Sequence, residues 1–143
     1  MRYLVATDGS PEGDDAVTYA ATQALAFGAT LEIVHVVTPG TRVVEGEAVL
    51  EGAADAAESG RRTLEQARAV AERAAEDGAT ELAVETELLQ GRPAHAIADY
   101  AGDVDADAIF VGHRGLSSER EKVVGSVAKG VVDEADRPVT VVR

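Results

Sequence analysis

The residues best placed to do chemistry lie in "GHRGLSSEREKVVGS", residues 112–126. There Gly112, Gly115, Gly125 and Ser126 stand at the spacing G-x2-G-x9-G-S. Glycine admits positive φ and carries no Cβ, so a ligand can come close to the backbone amides. Gly112 and Gly115 can turn the chain until several N–H groups converge on one anion. The excursion then returns to Gly125 and Ser126, where a helix is expected to begin. The first amides of that helix, those of Ser126 and Val127, favour negative charge together with its dipole. Two separated nests suit a chain of phosphates better than a single anion. A glycine-rich turn followed by an ordinary helix cap satisfies the same spacing. The pattern is not G-x-x-x-x-G-K-[ST], because no lysine precedes Ser126, nor is it a G-x-G-x-x-G after the first strand.

Charge singles out the same segment. Residues 112–129 carry Arg114, Arg120, Lys122 and Lys129 against Glu119 and Glu121, a local +2 that leaves −15 for the rest of a chain of net charge −13. Both lysines of the protein are in it. Arg114, Arg120 and Lys122 could clamp phosphate oxygens, although Arg120 and Lys122 suit a solvated excursion equally well. Asp8, in "TDGS", either opens a helix as a turn former or serves the site. His113 is expected to face solvent in its loop. His35, inside an apolar strand, and His95, on a helix, are read as structural, and the three histidines show no metal-ligand spacing. Glu45, Glu47 and Glu51 read as a solvated acidic face.

Alternating strands and helices position these residues. The apolar run 2–7 ends in the turn signal "DGSP" and reads as a buried strand. Ser10 can cap a helix with Pro11 at its first position and Gly28 as its stop. Ala16, Val17, Ala20, Ala24 and Phe27 would face inward. Residues 31–37, 81–89, 106–112 and 137–143 give four further strands. Helices are expected over about 61–77, from Pro93, and over 125–135 with Val127 and Val131 on one side. Residues 38–60, interrupted by four glycines, are expected to form a mobile loop leading into a helix.

Strict βαβ alternation implies a three-layer α/β/α fold, a doubly wound five-stranded parallel sheet of order 3-2-1-4-5, Rossmann-like. The switch point then lies between strands 1 and 4, and ligands bind at their carboxyl ends. The loops there are 7–10 and 112–118, and the glycine signature falls on the second.

The totals fit one domain spanning residues 1–143, with 45% hydrophobic residues. No stretch of 18 apolar residues occurs, and "MRYLVATDGS" enters a strand without the features of a signal peptide, so the cytoplasm is the expected compartment. The absence of cysteine excludes disulfides, Cys-ligated zinc and thiol catalysis. The acidity argues against nucleic-acid or anionic-membrane partners. Eleven arginines against two lysines, few aromatics and abundant acids suggest a high-salt (halophilic) cytoplasm, where a Debye length of about 3 Å screens the self-repulsion.

"GHRGLSSEREKVVGS" and "YLVATDGS", with "GRPAHAI" after the third strand and "RPVTVVR" at the end, resemble the ATP-binding branch of the universal stress protein family along nearly the whole chain. The resemblance implies that Gly112, Gly115, Gly125 and Ser126 hold the phosphates and ribose of ATP, normally with Mg2+, and that Val127 adds an amide. It implies that Asp8 reaches the ribose or the adenine side and that Ala6, Val36 and Val111 line an adenine slot. Arg114 fits the family pattern; His113 stands where Ser or Thr is common. The last strand, 139–143, would pair two subunits of a homodimer. The implied function is a nucleotide-binding regulatory module of the stress response. The alternative is a slow ATPase or autophosphorylating enzyme on the same fold. A phospho-receiver would need acids after the first strand, an aspartate ending the third and a lysine ending the fifth. The chain offers a single Asp8, "LLQG" and Arg143.

Overall fold

Strands buried on both faces by flanking helices read as unbroken apolar runs, and such runs build the sheet. The computed structural model describes residues 1–38, 41–44, 47–50, 52–113 and 124–143. In chain order they form β1 (Arg2–Ala6), α1 (Pro11–Phe27), β2 (Thr30–Val37), β3 (Thr41–Val44), β4 (Glu47–Leu50) and α2 (Ala53–Ala74). Then come β5 (Val84–Gln90), α3 (Pro93–Asp103), β6 (Ala108–Gly112), α4 (Ser126–Glu134) and β7 (Val139–Val142). Five strands make one parallel sheet in the order β5-β2-β1-β6-β7. Numbered by the sheet's own strands this is the expected 3-2-1-4-5.

Alternation along the strands supplies a core on each face. Val5, Leu31, Ile33 and Phe110 pack under α1 and α2 against Ala16, Val17, Ala20, Leu64, Ala67 and Ala71. Leu4, Val34, Ile109 and Val111 pack on the other face with Ile97 and Ala101 of α3 and Ala128 and Val131 of α4. The small residues of α1 let that helix lie close to the sheet. It begins with the Ser10 hydroxyl accepting from the Gly13 N–H at 3.0 Å and ends at Gly28 in the left-handed region, φ 67°. Phe27, expected inward, is 62% exposed, its ring meeting Tyr3 edge-on.

The segment expected to be a loop differs most. Residues 41–44 and 47–50 pair as an antiparallel hairpin, Thr41 opposite Leu50 and Val44 opposite Glu47. Helix α2 begins at Ala53 and runs straight through Gly60. The reason lies in packing. A Cβ on Gly60 would come within 2.6 Å of Leu88 Cδ1 and 3.0 Å of Val37 Cγ2, so this glycine lets α2 seat on β2 and β5. It is a contact point, not a break.

Away from the carboxyl ends of the strands, buried Glu32 anchors a polar knot. Arg2 Nη1 donates to it at 2.5 Å and to Glu85 at 2.6 Å, and the Tyr100 hydroxyl donates to its other oxygen. Burial, and then the bond to Glu32, push the Tyr100 phenol far above its usual range. The knot ties β1, β2, β5 and α3 together. Among the described residues no helix is long and apolar enough to cross a membrane.

Candidate functional site

The β1–β2 ladder runs out at Thr7. Its N–H donates to the Val34 carbonyl at 3.0 Å, while its own carbonyl lies 2.8 Å from His35 Nδ1. A carbonyl can only accept, so that ring nitrogen carries the hydrogen. The chain then turns sharply. The Thr7 hydroxyl accepts from the Gly9 N–H at 3.1 Å, Asp8 Oδ1 accepts from the Ser10 N–H at 3.0 Å, and Gly9 sits at φ 83°. This Asx turn fixes Asp8 at the switch point and hands the chain to the α1 cap. Helix α1 fits behind the turn because residue 13 is glycine: a Cβ there would lie 2.5 Å from Thr7 Oγ1.

On the other side of the switch point β6 ends at Gly112, in register with Val142. Gly112 is therefore extended. The positive-φ glycines among the described residues are Gly9, Gly28 and Gly91, so the left-handed freedom expected of Gly112 is not used. Gly112 borders the cleft between β1 and β6. His113 is buried, 9% exposed, which corrects the expectation of a solvent-facing histidine. Its N–H donates to the Val142 carbonyl at 2.8 Å, and its carbonyl accepts from the Gly125 N–H at 2.5 Å. The start of α4 is thereby pinned to the end of β6. Gly125 is the N-cap, with φ −63° and ψ 158°, and no side chain caps the helix. Ser126, which could have capped it, is the first helical residue. The N–H groups of Ser126, Val127 and Ala128 have no acceptor within their own helix.

These pieces enclose a cleft of about 130 Å³. That is close to the ~150 Å³ apolar cavity that takes a benzene ring, so the enclosed part suits a flat ring system, with anything longer extending outward. Ala6, Val36 and Val111 line it together with Ile97 of α3. Asp8, Gly112, Gly125, Ser126 and Val127 complete the predicted residues brought to it. Val127, expected to share an inward face with Val131, is instead 38% exposed, while Val131 is buried. Arg114 and Gly115 lie outside the described residues, as do Arg120 and Lys122.

Sequence reasoning missed Thr7, Gly13, His35, Pro93, Ile97 and Ala128 as lining residues. Thr7 and Ala128 adjoin positions it had flagged. His35, structural by its place inside an apolar strand, keeps that role through its bond to Thr7 even as the ring borders the cleft. Nothing in the local pattern separates Pro93 or Ile97 from ordinary helix residues.

The electrostatics divide the site. Two helix starts, those of α3 and α4, reach the cleft with Pro93 and Ser126 and present partial positive charge. Behind the Asp8 turn, Asp14 is held above the usual carboxylate range, first by burial and then by Asp15, with Arg73 opposing and Asp8 adding to the rise. Among the described residues no cluster of three or more His, Cys, Asp or Glu could hold a metal ion. An apolar slot opening on uncapped helix amides can hold a flat aromatic base at one end and an anion at the other.

Comparison with known proteins gives the family. The universal stress protein family matches residues 1–143. A universal stress protein of Thermus aquaticus, encoded in the 3′ region of a QAH/OAS sulfhydrylase gene, is 39% identical over 141 residues, covering 98% of this chain and 96% of the relative. The universal stress protein of Archaeoglobus fulgidus, solved in complex with dAMP, superposes with a TM-score of 0.75 at 27% identity over 100% of this chain and 98% of that one. A universal stress protein solved with cAMP gives 0.73 and 28% over 100% and 96%.

Proposed function

Because the chain belongs to the universal stress protein family, we propose that it is a nucleotide-binding regulatory module of the stress response that takes ATP in the cleft between β1 and β6. The observation that carries this is convergence. Eight of the ten residues singled out from the sequence line one cleft at the switch point of the sheet. The complexes of two relatives with cAMP and dAMP support an adenine nucleotide. The base would lie among Ala6, Val36 and Val111, and Asp8 would meet the ribose. The phosphates would meet the amides of Ser126 and Val127, beside Gly112 and Gly125 and in company with Gly115 and Arg114. Mg2+ would come with the phosphates, since it keeps several waters and needs one or two carboxylates. Asp8 is the one carboxylate among the described lining residues.

Phosphoryl transfer also needs a placed nucleophile or water and a base, and the motif supplies no obvious base beside Asp8, so ATP hydrolysis or autophosphorylation would be slow. A homodimer would form through β7. The sheet has two edges, and β5 carries exposed Glu85 and Glu87. Strand β7 offers Val139, Thr140, Val141 and Val142, with none of the charges that protect an edge. The cytoplasm suits such a module.

The test is equilibrium dialysis with labelled ATP on the parent and on Gly125→Val. At φ −63° the backbone of residue 125 accepts any side chain, so the variant should fold, and its isopropyl group should block the approach to the α4 amides. Loss of binding with unchanged circular dichroism is expected. Equal binding by the two proteins would put the phosphates elsewhere.

A further inference from the structure

His113 stands where the end of β6, the start of α4 and the end of β7 meet. Its backbone N–H reaches the Val142 carbonyl at 2.8 Å, and its carbonyl takes the Gly125 N–H at 2.5 Å. Its imidazole Nδ1 also lies 3.3 Å from the same Val142 carbonyl, and facing an acceptor it must carry the hydrogen. One residue thus places two donors on the end of β7 while holding the N-cap of the helix at the cleft.

The edge strand is sensitive to this grip. The Pro138 carbonyl accepts from the Ile109 N–H at 2.9 Å and the Val142 carbonyl from His113. Carbonyls at these even positions face β6, so by alternation the N–H and C=O groups of Val139 and Val141 face away from the sheet. Turning Val142 about its bond to β6 re-aims those outward groups. Any residue at 113 would supply the two backbone bonds. A side-chain donor adds the third, which stops that turning.

We infer that His113 is a positioning residue coupling the nucleotide cleft to the β7 edge. A phosphate chain drawn onto the α4 amides shifts Gly125 and, with it, His113. The paired bonds to Val142 pass that shift to the strand where a second copy would dock. The inference rests on the cleft and edge assignments proposed above and adds a link between them. Coupling of this kind is reciprocal, so nucleotide must change the dimer affinity by the factor that dimerisation changes nucleotide affinity.

The experiment measures the dimer dissociation constant of the full chain by sedimentation equilibrium in molar KCl, with and without saturating Mg-ATP. ATP affinity is measured separately by calorimetry. It compares the parent with His113→Asn, which keeps a side-chain N–H donor, and with His113→Leu, of similar bulk and without one; His113→Ala is a second donor-free variant. In the parent, Mg-ATP should shift the dimer constant about fivefold or more. The shift should survive in His113→Asn and fall below about twofold in the donor-free variants, each of which still binds ATP and still dimerises. An equal shift in parent and donor-free variants would overturn the coupling while leaving the cleft and edge assignments standing. So would a parent that binds Mg-ATP with no change in dimer affinity. A parent that binds no nucleotide, or never dimerises, would overturn the coupling together with the assignments beneath it, and would do so before any variant is made.

Discussion

At the scale of single residues, the glycines divide by what they do. Gly9 and Gly28 hold left-handed backbone, whereas Gly125 holds an ordinary extended φ at the N-cap of α4. That distinction is invisible in a spacing pattern, which is why Gly112 attracted a turning role that its place at the end of β6 does not allow. Gly112 and Gly125 were legible from their spacing and Asp8 from its place at the switch point, whereas the apolar trio of Ala6, Val36 and Val111 came only from the family resemblance. His113 was misread because burial of a loop histidine depends on where the last strand ends. Asp14 gives a prediction of its own. Its pKa is raised in the folded protein, so the fold favours the neutral acid. The cost of the charge is absent below the unfolded value near 3.9 and grows as pH rises through the folded value. Asp14→Asn should therefore raise the melting temperature at pH 7 and give no gain below about pH 3. A gain of equal size at both would contradict the assignment of that shift to the carboxylate's charge.

At the scale of elements, the five strands of the sheet and four helices followed from periodicity and caps, because apolar runs and Ser–Pro or Gly signals act locally. The hairpin of β3 and β4 and the first turns of α2 did not, the latter because Gly60 looks like a break until the sheet beneath α2 is known. Glu32 went unnoticed for a similar reason: its partners, Arg2 and Tyr100, lie 30 and 68 positions away. Two helix glycines now give opposite predictions for the same change. A Cβ on Gly102 would meet nothing within 4 Å, so Gly102→Ala should stabilise the protein by up to about 1 kcal/mol through helix propensity. A Cβ on Gly130 would lie 2.5 Å from Ala94 Cβ, an atom that moves only with its backbone. Gly130→Ala should force α3 and α4 apart and cost about 1–3 kcal/mol. Urea denaturation of both variants checks the pair, and a stabilised Gly130→Ala would mean that α3 and α4 do not pack as described.

At the scale of the whole molecule, charge sets the conditions under which the fold is stable. A net charge of −13 on 143 residues repels itself unless screened. The melting temperature should thus rise on moving from about 0.1 M to molar KCl, as the Debye length falls from about 10 Å to about 3 Å. A flat or falling response would remove the case for a salt-adapted protein. The central claim, that the cleft between β1 and β6 is a nucleotide site, is tested most directly by calorimetric titration of the purified protein with Mg-ATP, and in parallel with AMP, in molar KCl. Saturable binding of one Mg-ATP per chain, tighter than AMP because the phosphate chain reaches the α4 amides, is the predicted result. No heat and no saturation with either nucleotide, from a protein shown to be folded, would contradict it.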